Sequence, residues 1–380
     1  MTRATRRNEY TGERAQWLYL AFELGVDEWK LGFTSDLGTT PRVRVMPARD
    51  LRRLAREITA AKQWFGVPAT AAVRSCYEAG RDGFWLHRHL TAVGIDNRVV
   101  DSSSIEVNRR QRRAKSDGLD ARKLLGMLVR YHAGEPKVWS VVRVPTVDEE
   151  DRRQLHRELR TLKKERTRVT NRIKGLLANQ GIRLPKRRGL GELLERVRLW
   201  DGSPLPAGLR ARLQREWEHA QFLHGKIVEL ERERQRAITH DRGPAVEKVR
   251  QLLRLRAIGP SGAWVYVNEF FGWRQFRNRK EVGAAAGLIP TPYQSGDASR
   301  EQGISKAGSR HIRAVAIEMA WCWLRYQPRS RLSRWYQARF GRGGARARKV
   351  GIVALARKLL IELWRFLEHG VVPEGAALKA

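Results

Sequence analysis

The sequence predicts an α/β domain followed by domains that are mainly helical, and three observations support this fold class. Short apolar runs alternate with helix-like stretches from residue 17 to residue 131. Two long stretches beyond residue 146 carry apolar residues at three-to-four spacing with almost no internal Pro or Gly. One core rarely serves 380 residues. We therefore expect three domains, at 1–145, 146–246 and 247–380.

The first domain opens with three strand-like segments. Residues 17–25 and 28–34 are apolar and aromatic runs on either side of a Gly-Val-Asp turn at 25–27, which predicts a hairpin. Residues 42–46 alternate basic and apolar side chains, the pattern of a third strand.

Alternating helices and strands follow these three strands. The predicted elements are a helix at 50–64, a strand at 70–76, a helix at 83–93, a strand at 97–101 and a helix that runs toward residue 131. Three sequential strands followed by this alternation is the element order of a ribonuclease-H-like fold.

Two long amphipathic helices are predicted for the middle of the chain, at 148–179 and 205–240. A Gly- and Pro-rich connection separates them, so an antiparallel helical hairpin or coiled coil is expected, and it could dimerise. The alternative is a charged, solvated helix pair without a partner. Beyond residue 247 the chain is helical again, with a Gly- and Pro-rich connection at 287–308.

The charge balance predicts the class of partner. Lys and Arg number 75 against 40 Asp and Glu, which leaves a net charge of +35. Such an excess favours a polyanion, so nucleic acid is the expected partner. A hydrophobic fraction of 42% with 13 Trp indicates packed cores rather than a disordered basic tail.

Several other classes of protein are excluded by the sequence. No apolar run approaches the roughly 18 residues that a membrane span requires, so no membrane association is expected. Two distant cysteines exclude a disulfide framework and a cysteine zinc site. A GxGxxG fingerprint and a Walker A loop are absent, which removes the usual nucleotide hydrolases. We expect a cytoplasmic, nucleoid-associated protein.

Four acidic residues of the first domain are candidate metal ligands. Glu23 interrupts an apolar strand, where a charge is costly unless it faces a cation, and Glu78 lies just past the predicted strand 70–76. Asp117 and Asp120 are spaced i, i+3 and share one helix face. Such carboxylates are the ligands of a two-Mg²⁺ phosphoryl-transfer site. The alternative makes Asp117 and Asp120 helix-start residues favoured by the helix dipole and Glu78 a surface carboxylate in a turn.

Four serines lie among glycines and bases in the C-terminal part, and any of them could attack a DNA phosphodiester. They are Ser295, Ser299, Ser305 and Ser309. The residue pattern does not choose among them, and turn or helix-cap roles remain the alternative.

Four segments together resemble a known family. They are KSDGLDAR at 115–122, AAGLIP at 285–290, YQSG at 293–296 and ISKAG at 304–308. With them the chain resembles, over nearly its whole length, the insertion-sequence one-hundred-and-ten family of transposases, which are DEDD-type recombinases with a catalytic serine.

This resemblance implies a RuvC-like nuclease domain, a coiled-coil insertion and a smaller helical transposase domain. The family's four acidic positions carry over to Glu23, Glu78, Asp117 and Asp120 as Mg²⁺ ligands, and its nucleophile to Ser295. The implied intermediate is a 5′-phosphoserine linkage to DNA. The implied partners are donor and target DNA, a structured noncoding guide RNA from the element, and further copies of the chain in a dimer or tetramer.

One position departs from the family pattern. The family has Asp at the first acidic position, whereas this chain has Glu23 after Ala-Phe. A register shift would offer Asp27 instead, but a gapless match places Glu23 on the first strand and Asp27 in the turn. We therefore predict that Glu23 is the ligand.

Two other functions remain open at this point. One is a metal-dependent nuclease of the Holliday-junction-resolving or ribonuclease-H type, which would use the carboxylates and water without a covalent intermediate. The other is an inactive nucleic-acid-binding scaffold, for which Glu23 in place of Asp is the supporting feature.

Overall fold

A computed structural model of the chain describes residues 17–80, 83–105, 117–135, 138–183, 194, 196–295 and 298–379. The chain divides into two compact units, Met1–Pro145 and Thr146–Ala380. The further boundary predicted at residue 246 falls inside the second unit and stays a prediction. Within the described ranges, no helix combines the length and the apolar character needed to cross a membrane.

The first unit is built on a mixed five-stranded sheet of order β3-β2-β1-β4-β5. Its strands are β1 (Trp17–Leu24), β2 (Glu28–Thr34), β3 (Arg42–Pro47), β4 (Ala72–Glu78) and β5 (Asp96–Val100). Its helices are α1 (Leu51–Trp64), α2 (Trp85–Ala92) and α3 (Asp117–His132). The pairs β1–β2 and β2–β3 are antiparallel, whereas β1–β4 and β4–β5 are parallel.

The two faces of this sheet are covered by different helices. Leu20 of β1 packs in a core with Leu54 of α1 and Leu86 of α2. The neighbouring Ala21 faces the other side and packs with Leu124 of α3. Because side chains alternate along a strand, every odd-numbered position of β1 points toward the α3 face.

Strand β4 lies two residues further along the chain than the sequence predicted. It starts at Ala72 and continues through Glu78, which pairs with Val100 of β5, whereas the prediction placed the strand at 70–76. Hydrogen bonding to the neighbouring parallel strand extends the pairing beyond the apolar run. Glu78 is therefore the last residue of a strand and not a turn residue.

His132 closes α3 in a partly apolar environment. Its Nε2 is buried without a hydrogen-bond partner among the described residues, and its ring lies 6.1 Å from that of Tyr19. Burial, and then the positive charge of Arg74, lower the pKa of His132 from 6.5 to about 4. The folded unit thus favours the neutral imidazole.

This shift predicts acid sensitivity of the first unit. Since the folded-state pKa lies below the unfolded value, stability should be complete above about pH 6.5 and fall as the pH drops toward 4. We expect His132→Gln to show a smaller decrease in melting temperature between pH 7 and pH 5 than the wild type, measured by circular dichroism. Equal decreases in the two proteins would contradict this assignment.

The second unit contains nine helices in its described part and one hairpin. The helices are α4 (Val147–Asp151), α5 (Gln154–Ala178), α6 (Ala207–His240), α7 (Pro244–Leu253), α8 (Pro260–Tyr266), α9 (Arg279–Ala285), α10 (Arg310–Tyr326), α11 (Arg331–Tyr336) and α12 (Ala345–His369). The hairpin strands are β6 (Pro290–Ser295) and β7 (Ala298–Ile304). Five-residue π-helical turns, Val267–Phe271 and Gln337–Gly341, extend α8 and α11.

The helix predicted at 148–179 is two helices in the structure. Thr146 caps α4 in a reciprocal capping box with Glu149, and the chain turns at 152–153 before α5 begins. The N-terminal cap starts α4 close to the predicted helix start. The turn at 152–153 was not predicted, because the sequence has no capping residue or helix breaker there.

Helices α5 and α6 pack against each other as an antiparallel pair. Val169 and Ile173 of α5 lie in one core with Leu213 and Leu223 of α6. Two ion pairs cross between the helices: Lys163 Nζ lies 2.6 Å from Glu231 Oε1, and Arg172 Nη2 lies 2.8 Å from Glu216 Oε2. As the residue numbers of the contacts increase along α5, those of their partners in α6 decrease, so the two helices are antiparallel.

Candidate active site

The sheet of the first unit brings Glu23 and Glu78 to one place. In the parallel β1–β4 pair, Phe22 lies opposite Tyr77, so Glu23 and Glu78 each stand one residue further on. Ala21 and Cys76, two residues earlier, both pack on the α3 face. Alternation puts both carboxylates on that same face, on strands about 4.8 Å apart.

Helix α3 crosses this face of the sheet, and its N-terminal turn is the end that lies nearer to the carboxylates. Its last residue, His132, lies over Tyr19, whereas Ala121 near its start lies over the Gly32–Ala21 row, where a Cβ at Gly32 would be 3.5 Å from the Ala121 carbonyl oxygen. The first turn is thus directed to the end of β1 that holds Glu23.

That first turn contains the other two predicted ligands. Asp117 is the first residue of α3 and Asp120 lies three positions on, at the helix N-terminus. The structure describes their backbone, and their side chains lie outside the described part, as do the preceding residues 115 and 116. The fold therefore places Glu23 and Glu78 on neighbouring strands and directs the helix turn that contains Asp117 and Asp120 toward the same end of the sheet face.

Lys30 is a neighbour of this cluster that the sequence did not single out. It pairs directly with Glu23 across the antiparallel β1–β2 ladder, so both side chains lie on the same face. An ammonium group there reduces repulsion between closely spaced carboxylates. This pair could not be predicted because the sequence does not show which residues of β1 and β2 lie opposite each other.

Asp27, the alternative ligand, lies elsewhere. It is exposed in the β1–β2 turn, where its carbonyl accepts a hydrogen bond of 2.7 Å from the Ala48 amide. Its position is set by the hairpin and lies four residues past Glu23. The four predicted ligands are all carboxylates, which are hard oxygen donors of the kind that Mg²⁺ prefers.

In the second unit, Ser295 lies at the tip of the β6–β7 hairpin. It is the last residue of β6 and pairs with Ala298 of β7, and Pro290 pairs with Ile304 at the base. The Ser295 side chain, like residues 296–297, lies outside the described part. The sequence predicted only a connection at 287–308, because its Pro and Gly content indicates turns rather than strands.

The base of this hairpin depends on two glycines. Gly287 and Gly308 adopt positive φ angles of 65° and 79°. A Cβ at Gly287 would lie 1.9 Å from the Ala307 carbonyl oxygen, and one at Gly308 would lie 2.2 Å from the Ala285 oxygen. Arg313 Nη1 also donates to the carbonyls of residues 286 and 307, at 3.2 and 3.4 Å. The segments 285–290 and 304–308 are thus held together at the start of the hairpin.

The remaining serines occupy different positions. Ser309 is the N-cap of α10 and accepts a hydrogen bond of 3.2 Å from the Ile312 amide. Ser305 follows β7, and its amide donates to the Ile289 carbonyl at the hairpin base. Ser299 pairs with Gln294 one step below the tip. The helix-cap alternative therefore describes Ser309.

A largely buried group in the second unit, which we call the His-Glu-His cluster, was not predicted from the sequence. It consists of His156 on α5, Glu269 in the π-helical turn after α8, and His311 at the start of α10. Burial opposes ionisation of Glu269, but hydrogen bonds from His156 and Arg157 outweigh it and hold the pKa of this carboxyl far below its usual range. Burial, followed by the charge of Arg160, lowers the pKa of His311.

The chain is similar to known transposases. Residues 249–334 match the family described as "Transposase IS116/IS110/IS902 family". A "Putative transposase y4rJ" of Sinorhizobium fredii (strain NBRC 101917 / NGR234) is 46% identical over 312 residues, which are 80% of this chain and 78% of the relative.

Two further relatives are more distant. A "Transposase for insertion sequence element IS1328" of Yersinia enterocolitica is 26% identical over 80% of this chain and 85% of its own length. A "Probable family 20 transposase" of Pseudomonas aeruginosa (strain PAO1) is 32% identical over 60% of this chain and 66% of its own length.

Proposed function

Because the chain belongs to the IS116/IS110/IS902 family of transposases, we propose that it is a Mg²⁺-dependent DNA recombinase of a bacterial insertion sequence that uses Ser295 as its nucleophile. The observation that carries the proposal is the placement of Glu23 and Glu78 on neighbouring strands at one end of the first-unit sheet, with the first turn of α3 directed toward that end. The strand order of that sheet, with three antiparallel strands and two parallel additions, is the order expected of a RuvC/ribonuclease-H-like domain, and supports this assignment.

Glu23, Glu78, Asp117 and Asp120 would hold the metal. Mg²⁺ bound there would stabilise negative charge on the attacking and leaving oxygens of a phosphodiester. Lys30 moderates the repulsion among the carboxylates in the absence of substrate. The numerous Lys and Arg side chains supply affinity for the DNA backbone.

Ser295 would carry the covalent step. Its Oγ forms a bond to phosphorus, the bond from phosphorus to the 3′ oxygen breaks, and that oxygen takes up the proton that the serine loses. The product is a 5′-phosphoserine linkage and a free 3′ hydroxyl. A tip position on a hairpin suits this role, because a narrow two-stranded element can enter a DNA groove.

Activation of the serine requires a group from outside the hairpin. A neutral hydroxyl is a poor nucleophile, and no His or Lys occurs at 293–300. The carboxylates of the first unit are the available source, and we propose that two protomers combine to form each active site. The active form is then a homodimer or a tetramer.

The remaining partners follow from the same proposal. Donor and target DNA are the substrates, and a structured noncoding RNA from the element guides their recognition by base pairing. The protein would work in the cytoplasm, at the nucleoid. The antiparallel α5–α6 pair corresponds to the coiled-coil insertion in this proposal.

Detection of the covalent intermediate tests the proposal directly. The chain is expressed with its complete insertion element and recovered under denaturing conditions, and after nuclease digestion its peptides are analysed by mass spectrometry. We expect a nucleotide remnant on Ser295, formed by purified complexes in Mg²⁺ and absent in EDTA. Strand cleavage without any adduct would favour the metal-dependent nuclease, and absence of both would favour the inactive scaffold.

A further inference from the structure

Three distant segments of the second unit meet at the His-Glu-His cluster. His156 and Glu269 are 113 residues apart, and His156 Nε2 lies 2.8 Å from Glu269 Oε1. The rings of His156 and His311 are 6.0 Å apart between centroids. One nitrogen or oxygen atom from each of the three residues lies within 4.8 Å of the others.

We propose that the His-Glu-His cluster binds a divalent transition-metal ion, with zinc as the best-fitting ion. The two imidazoles are nitrogen donors of the kind that zinc and its neighbours prefer, and the carboxylate beside them can orient one of these ligands, whereas Mg²⁺ prefers oxygen donors alone. The site is therefore chemically distinct from the carboxylate cluster of the first unit. It lies within the second unit and does not depend on the proposed function.

An unsatisfied buried nitrogen supports a ligand at this position. The His156 side chain is only 2% exposed, and its Nδ1 has no hydrogen-bond partner among the described residues. If Nε2 carries the proton that it donates to Glu269, Nδ1 carries a lone pair that is buried and unused. Such an acceptor is costly unless a proton donor or a metal ion meets it.

Glu269 has the surroundings of a carboxylate that orients a metal ligand. Its Oε1 accepts a hydrogen bond from His156, and Arg157 donates to both of its oxygens, with Nε 2.6 Å from Oε1 and Nη2 3.0 Å from Oε2. A carboxylate that accepts the second ring N–H of a histidine fixes its tautomer and raises its basicity toward the metal. The sequence places this pair on two elements that are packed together by the core.

An ion bound at this location would connect two helices of the second unit. His311 lies in the first turn of α10, directly after the 304–308 segment that closes the hairpin base, whereas His156 belongs to α5. An ion shared by both would tie the long α5 helix to the helix that follows the Ser295 hairpin. Metal binding should therefore increase the stability of the second unit.

Zinc binding by the full chain, without DNA, tests this proposal. Chelator-treated protein is dialysed against Zn²⁺ in excess Mg²⁺, and Co²⁺ absorption reports the ligand set. We expect one Zn²⁺ per chain and a raised melting temperature. His156→Gln and His311→Gln should each weaken binding by at least about 100-fold, and Glu269→Gln by about 10- to 100-fold.

One control separates this site from others. His369→Gln removes an exposed histidine outside the cluster and should bind Zn²⁺ like the wild type. Absence of Zn²⁺ binding by the wild type, or equal binding by the cluster variants, would overturn the proposal. The cluster would then be a buried ion pair in which His156 and Arg157 compensate Glu269.

Discussion

Replacing Glu23 by Gln is expected to reduce DNA strand cleavage by at least about 100-fold while DNA affinity changes little. A metal ligand contributes several kcal/mol of transition-state stabilisation, and each 1.4 kcal/mol corresponds to about tenfold in rate. Affinity depends instead on Lys and Arg contacts to phosphates. Cleavage is measured on end-labelled DNA that carries the element's own ends, and affinity by filter binding.

Glu78→Gln, Asp117→Asn and Asp120→Asn should show the same separation of cleavage from binding. The matched control is Asp27→Asn, since Asp27 is exposed in the β1–β2 turn and should be dispensable. Glu23→Asp restores the residue type usual in the family, and its activity measures whether the longer side chain matters. Full cleavage by Glu23→Gln together with loss in Asp27→Asn would show that the register assignment is wrong.

Ser295→Ala is expected to abolish the protein–DNA adduct altogether, because the methyl side chain of alanine has no oxygen atom that could form the phosphoester bond. Ser299→Ala is the matched control, one register step from the tip of the same hairpin, and should retain the adduct. Both variants preserve the hairpin backbone. Adducts are detected as labelled DNA that stays with the protein in denaturing gels. An adduct formed by Ser295→Ala would place the nucleophile at another serine.

Mixing two inactive variants tests whether the active site is shared between protomers. In an equal mixture of Ser295→Ala and Asp117→Asn, heterodimers would contain one intact pair of sites, so about one quarter of wild-type adduct formation is expected for a symmetric dimer. The adduct must appear on the Asp117→Asn chain, which retains Ser295, and a size tag identifies that chain. No adduct in the mixture would show that each protomer uses its own carboxylates.

Local patterns in the sequence were sufficient for most of the first unit. The Gly-Val-Asp turn at 25–27 and the apolar runs beside it predicted the β1–β2 hairpin, because turn chemistry and side-chain alternation act over a few residues. Glu23 was also recognisable from its sequence neighbours, because it is a charged residue inside an apolar strand. The long α6 helix also began and ended within two residues of its prediction.

Relations between distant segments required the tertiary structure. The face and register that bring Glu23, Glu78 and Lys30 together depend on how β1 pairs with β2 and β4, and a one-residue slip would turn these side chains to the opposite face. The extension of β4 to Glu78 depends on pairing with β5.

The second unit shows the same limit more clearly. The β6–β7 hairpin forms across a Pro- and Gly-rich segment whose composition indicates turns, because interlocked backbone at Gly287 and Gly308 closes its base. The His-Glu-His cluster joins residues from α5, the α8 turn and α10. The sequence alone determined the net charge, the carboxylate and serine candidates and most element boundaries of the first unit. Only the tertiary structure decided which side chains are neighbours, because burial and packing act between segments that are far apart in the chain.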